Sequence, residues 1–178
     1  MARWRVRSHL PYEWNGSRAR RESCAGSPQF THAAFDDFRI VYQNLNGGNR
    51  STQDRLIPSC VFTDPEFVRV GLNEVEAARL GVQYRVAKMP VSAVLRTRTI
   101  SEPRGFLKML IDGQSDRILG FSAFGAEASE LLAAVQTAML GGMEYTKLRD
   151  GIFAHPTIAE GLVFLLANIP AAKKAGSF

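Results

Sequence analysis

The sequence predicts an α+β fold in which an antiparallel sheet is packed with helices. Three observations carry this. The run GFLKMLIDGQSDRILGFSAFG, residues 105–125, sets two β-rich stretches on either side of a polar turn at Asp112-Gly113, the pattern of a tight hairpin. The longest helical pattern follows that hairpin instead of separating its strands, which argues against a doubly wound parallel sheet. No G-x-G-x-x-G and no phosphate-binding P-loop occurs, so the chain's own motifs bind no dinucleotide.

The elements follow in order. Residues 1–22 show neither a helical nor a strand period. Gly26, Ser27 and Pro28 form a turn. Ala34, Phe38, Val41 or Tyr42, and Leu45 then recur on one face, so a helix is expected from about Thr31, its plausible N-cap, to Leu45. The NGGN of residues 46–49 stops it, because glycine tolerates the left-handed backbone that a helix end needs. After a polar connector, SCVFTDPEFVRVGL reads as two short extended pieces around Asp64-Pro65. Asn73 and Glu76 form a capping box that opens the short helix EVEAARL, which Gly81 closes. YRVAKMPV reads as a strand and leads to the hairpin. AEASELLAAVQTAMLGG is a long helix with Leu131 or Leu132, Val135 and Met139 on one face. TKLRD is a short helical turn. A last helix runs from about Ile158 to Ile169 and carries Leu162, Leu165, Leu166 and Ile169. The two apolar faces read equally as core or as subunit interface.

The chain has 178 residues, 46% of them apolar and 22% charged, enough for one domain with a core plus an arm. No apolar run reaches the roughly 18–20 residues of a membrane span. The net charge is +5, and six arginines against two glutamates within residues 1–22 supply most of it. Such an arm suits nucleic acid or an anionic surface, but its lack of periodicity favours a solvated, disordered extension. Cys24 and Cys60 are the only cysteines and form no C-x-x-C or C-x-x-x-x-C pair, so neither a redox dithiol nor a zinc site is encoded. Two lone thiols fit a cytoplasmic protein, and Cys60 is expected as a small buried residue of a strand.

The candidate chemistry lies in HPTIAE, residues 155–160. The chain has only three histidines, and one of them precedes a proline and stands five residues before a carboxylate. Imidazole titrates near neutral pH and can move a proton both ways. The bland alternative is that T-I-A-E is a capping box, with Thr157 as N-cap and Glu160 as N3, and that His155 is a plain loop residue.

CVFTDPEFVRVGLNEVEA, then GFLKMLID…RILGFSAFGAEASEL, then HPTIAEGL resemble the C-terminal dimerisation domain of the pyridine nucleotide-disulfide oxidoreductases. These are the flavoproteins that include glutathione reductase, dihydrolipoyl dehydrogenase and mercuric reductase. The similarity extends upstream, where CAGSPQFTHAAFDDFRIV resembles the end of the family's FAD domain. The resemblance implies that His155 is an acid/base serving the flavin and redox disulfide of the other subunit. It implies that Glu160 orients the ring, that the His155-Pro156 bond is cis, and that the ring lies at a surface. It further implies that the backbone at Thr31, His32 and Ala33 approaches the flavin in full-length relatives, where a helix N-terminus suits developing negative charge. FAD and NAD(P)H belong to those relatives; this chain alone is expected to bind neither and to be inactive.

Four segments are expected. Residues 1–22 form an arm foreign to the family, from a truncated or frame-disrupted gene or an alternative start. Residues 23–57 are a remnant of the FAD domain with a connector, 58–170 the dimerisation domain and 171–178 a flexible tail. The expected partner is a second copy. The alternative is a free-standing interaction module that pairs with itself or with a full-length paralogue. No membrane partner is expected, and nucleic acid is disfavoured.

Overall fold

The computed structural model describes residues 28–53 and 55–172. The expected basic arm and the last six residues of the expected tail lie outside the described residues. Two compact units divide the chain, Met1–Ile57 and Pro58–Phe178.

The first unit contributes α1 (Thr31–Leu45). Its N-cap is Phe30, in extended conformation, and not Thr31. The carbonyl of Phe30 already accepts from Ala34 N–H at 3.0 Å, which makes Thr31 the first helical residue. No side chain caps this end; the Phe30 and His32 rings stack there at 5.1 Å. At the other end the expected stop holds, with Gly47 at φ 86°. The buried face is Ala33, Asp37 and Ile40, while Phe38, Tyr42 and Leu45 of the expected apolar face stand about 60% exposed. Asp36 and Asp37 bind Arg50 and Arg55 at 2.6–3.2 Å, which fastens the connector to the helix.

The second unit is a five-stranded antiparallel sheet with helices. Its strands are β1 (Ser59–Val61), β2 (Glu66–Gly71), β3 (Tyr84–Pro90), β4 (Phe106–Asp112) and β5 (Ile118–Gly125), in the spatial order β1-β2-β5-β4-β3. The hairpin β4–β5 therefore fills the middle, and its apolar run matches burial on both faces. β3 is an edge strand that alternates buried and exposed residues, and the exposed Lys88 discourages further strand pairing. Register aligns Val68, Ala123, Leu107 and Met89 in one cross-strand row and Val70, Phe121, Met109 and Ala87 in the next. All eight are at most 6% exposed and form the core face.

The helices are α2 (Glu74–Arg79), α3 (Leu95–Thr99), α4 (Ala128–Leu140), α5 (Tyr145–Arg149) and α6 (Gly161–Ala167). α4 packs on β2 and β5, and α6 packs on β3, β4 and α5. Leu131, Leu132 and Val135 of α4 and Leu162, Leu165 and Leu166 of α6 are all buried within the chain, so these faces are core. Two features escaped sequence reading. A 3-10 turn (Val91–Ala93) and α3 follow β3, held by Thr97 Oγ1, which donates to the carbonyls of Val91 and Val94. The N-terminus of α4 has no cap of its own; Glu66 of β2 supplies one, accepting Ser129 N–H at 2.9 Å.

The α2 capping box is present as expected, with both Asn73 and Glu76 bonds formed. Glu76 also binds Arg69, whose guanidinium, with the Asn73 N–H, holds that carboxyl below its ordinary range. Lys108 does the same for Glu74, and the N–H groups of Gln114 and Ser115 for Asp112 at the hairpin turn. A carboxyl whose folded pKa is lowered binds fewer protons folded than unfolded, so its contribution is complete above about pH 5 and lost as pH falls through its folded value. The urea midpoint is expected to hold from about pH 7 to 5 and to fall below about pH 4. Glu76→Gln and Asp112→Asn are expected to flatten that fall, and an unchanged slope in both refutes the assignment.

Candidate functional site

The site is built on the segment that enters α6. Glu160 is 7% exposed and sits where the chain turns into the helix. Gly161 follows it, and a Cβ there would lie 2.7 Å from Val94 Cγ2 and 3.2 Å from Leu107 Cδ1. Glycine thus lets the start of α6 lie against the core and fixes the depth of Glu160. The helix begins at Gly161, later than the expected Ile158. Residues 158–160 form a tighter turn instead, in which Gly161 N–H donates to Ile158 O at 2.9 Å and Leu162 N–H to Ala159 O at 3.0 Å.

His155 Nδ1 lies 2.7 Å from Glu160 Oε2. The imidazole is 63% exposed and the carboxylate side chain only 9%. A carboxylate can only accept, so Nδ1 carries the hydrogen and Nε2 of the neutral ring keeps its lone pair. Nε2 has no protein partner among the described residues. The His155-Pro156 bond is cis, as the resemblance implied, and so is Asp64-Pro65, which sequence reading did not foresee.

Thr157 is not the N-cap of α6, whose N-cap is Glu160 itself, because the helix starts only at Gly161; the two bonds expected of a capping box nevertheless form across the turn before it. Glu160 N–H donates to Thr157 Oγ1 at 3.3 Å, and Thr157 N–H donates to Glu160 Oε1 at 3.4 Å. The cap and the histidine pair are one network, because Glu160 uses one carboxylate oxygen for each.

Thr31, His32 and Ala33 open α1 in the first unit, with Thr31 and His32 exposed and Ala33 1% exposed. The first intrahelical bond runs from Ala34 N–H to Phe30 O, which makes residues 31–33 the first turn of α1. The chain has no G-x-G-x-x-G to hold the pyrophosphate of a flavin nucleotide. Cys60 lies in β1 as expected but is only half-buried, because a short edge strand is covered on one side. Burial and the neighbouring Glu66 raise its thiol pKa, which keeps it protonated. Among the described residues, no group of three or more His, Cys, Asp or Glu can hold a metal, and no helix is long and apolar enough to cross a membrane.

Residues 57–165 match the family described as "Pyridine nucleotide-disulphide oxidoreductase, dimerisation domain". The chain belongs to this family. Among curated members, the probable pyridine nucleotide-disulfide oxidoreductase RclA of Escherichia coli (strain K12) is 40% identical over 139 residues, which cover 77% of this chain and 32% of that protein. A dihydrolipoyl dehydrogenase of Thermus scotoductus is 35% identical over 139 residues, covering 78% and 30% respectively. The solved structure of the HOCl-induced flavoprotein disulfide reductase RclA from Escherichia coli superposes with a TM-score of 0.77 at 39% identity, over 82% of this chain and 34% of that one. The chain spans about a third of the length of the curated relatives it matches. It is thus a dimerisation-domain part of a flavoprotein disulfide oxidoreductase family, with the α+β fold that the sequence predicts.

Proposed function

We propose that this chain is a self-associating module whose His155–Glu160 pair exchanges a proton with the redox sulfur of a neighbouring subunit, in an assembly of the NAD(P)H:disulfide oxidoreductase type. The observation that supports it most is the pairing itself: a buried carboxylate holds Nδ1 of an exposed ring whose Nε2 has no partner among the described residues. In the proposed step Nε2 takes the proton of a thiol, leaving a thiolate. Glu160 steadies the imidazolium, and the same nitrogen returns the proton when the thiol is restored. FAD, when bound in a full-length relative, carries the electrons between nicotinamide and disulfide. This sequence holds no cysteine pair, and Cys60 stays a protonated half-buried thiol. In this proposal the sulfur belongs to the neighbouring subunit, and residues 58–170 by themselves reduce no disulfide.

Association needs a surface, and exposed apolar residues near the pair offer one. Ile152 is fully exposed three residues before His155, and Phe164, 48% exposed, lies on α6. Burying such anchors is the usual source of interface energy. Sedimentation equilibrium over a range of concentrations is expected to show a dimer. Ile152→Asp with Phe164→Asp is expected to weaken it by about 2 kcal/mol or more, roughly 30-fold in Kd. A monomer at every concentration defeats the proposal. The same surface also serves pairing with a full-length paralogue, which would show as co-purification of a yellow flavoprotein.

A further inference from the structure

We propose that Thr157 is a positioning residue that decides which ring nitrogen of His155 is free to exchange a proton. The inference rests on the reading of His155 as a proton donor and acceptor, and it adds a residue to that site. Thr157 Oγ1 donates its one hydrogen to Ala154 O at 2.7 Å, which leaves its lone pairs to accept Glu160 N–H at 3.3 Å. Thr157 N–H donates to Glu160 Oε1 at 3.4 Å, and His155 Nδ1 donates to Glu160 Oε2 at 2.7 Å. The four bonds close a loop around the histidine: Ala154 just before it, Thr157 just after the proline, and Glu160 at the Nδ1 edge of the ring.

Each bond constrains a different freedom. The Ala154 bond fixes the chain on the N-terminal side of His155. The Thr157 hydroxyl accepts the Glu160 N–H and so fixes the turn that carries the carboxylate, while the Thr157 N–H meets Oε1 at 3.4 Å and leaves Oε2 facing Nδ1. With Oε2 fixed there, the neutral ring has one favourable tautomer, with hydrogen on Nδ1 and the lone pair on Nε2. A free imidazole has no such restriction and populates both tautomers. Loss of the Thr157 hydroxyl removes the clamp on Ala154 and the acceptor for Glu160 N–H together, and the turn that aims the carboxylate loosens although none of the four bonds joins Thr157 to the ring.

The test uses the full chain with 15N-labelled histidine. Long-range 1H–15N correlation is recorded at about pH 8.5, well above the ordinary imidazole range, at a temperature where circular dichroism shows every variant folded. Wild type is expected to show His155 as the Nδ1–H tautomer alone. Thr157→Val, which keeps the shape and loses the hydroxyl, is expected to show a mixture, and Thr157→Ser is expected to restore the single tautomer. If Thr157→Val does not fold, Thr157→Ala takes its place against the same Ser rescue. A pure helix cap predicts a change in melting temperature with the tautomer unaltered, and that result overturns the proposal. The readout is independent of catalysis. A tautomer shift without any effect of His155 on proton transfer would refute the functional reading and leave this inference standing.

Discussion

Replacing His155 by Gln is expected to cut NAD(P)H-dependent disulfide reduction by about 10²–10⁴-fold, the range a positioned general acid/base contributes, once the module is part of a complete enzyme. The complete enzyme can be a chimera in which residues 58–170 of this chain replace the matching segment of the Escherichia coli flavoprotein disulfide reductase, which is 39% identical over the superposed region. Glutamine fills a similar volume and offers an amide to Glu160, but it cannot carry a proton to and fro. The ring is 63% exposed and its Nε2 binds nothing in the described chain, so the substitution removes no packing and leaves no buried group unpaired. The loss should fall on the proton-transfer step, with dimer mass and flavin absorbance unaltered. In the parent chimera, the pH dependence of kcat/KM is expected to show one ionisation that disappears in the variant. A loss below about threefold, with the dimer intact, would mean that the histidine is not the acid/base.

What could be read from the sequence divides along a physical line. Local signals were legible. The Asn73 capping box needs only a partner three residues on, the hairpin only its turn, and both form as expected. The fold class followed from element order. Signals that depend on distant neighbours were not legible. Glu66 caps a helix 63 residues away, and nothing in EFVRVG distinguishes that carboxylate from a surface one. The helical period of α1 is legible, but period alone does not say which side is buried: of the expected face Phe38, Tyr42 and Leu45 point outward, and Ala33, Asp37 and Ile40 are inward. At the site, the residue types and the H-P-T-x-x-E spacing were visible, and the family resemblance assigned them roles. The shared use of Glu160 was not visible, since two readings that competed in the sequence turn out to occupy different oxygens of one carboxylate. Gly161 carries no local signal either, because only the closeness of Val94 and Leu107 shows that a Cβ there would crowd the core.

Arg85→Met is expected to destabilise the second unit by about 3 kcal/mol, because it leaves several backbone acceptors without a charged donor, and so to lower its Tm by on the order of 10 °C. Arg85 lies on β3 and is 9% exposed. Its Nε donates to Asp112 O at 3.0 Å, one terminal nitrogen to Pro170 O at 3.2 Å, and the other to Ser115 O and to Asp116 Oδ1 at 3.1 Å. The guanidinium also lies 5.5 Å from the centroid of the Tyr145 ring, a favourable cation–π distance. One planar fork thereby ties the β4–β5 turn, the start of α5 and the segment just after α6. Lysine presents a single nitrogen and cannot reach all of these acceptors, so Arg85→Lys should lose most of the same stability. The Asp116 ion pair alone cannot account for the effect, since that carboxylate is 40% exposed and screened by water; Asp116→Asn is accordingly expected to cost less than about 1 kcal/mol. The clamp bears on the site because Pro170 follows the same helix that begins beside Glu160. With the far end of α6 released, its N-terminal turn and the Glu160 carboxylate lose their fixed depth in the core. The Arg85 variants are therefore expected to shift the His155 ring resonances as well as the melting curve. If Arg85→Met and Arg85→Lys both melt within about 2 °C of wild type, a margin of roughly half a kcal/mol for a unit of this size, the guanidinium does not hold these segments together.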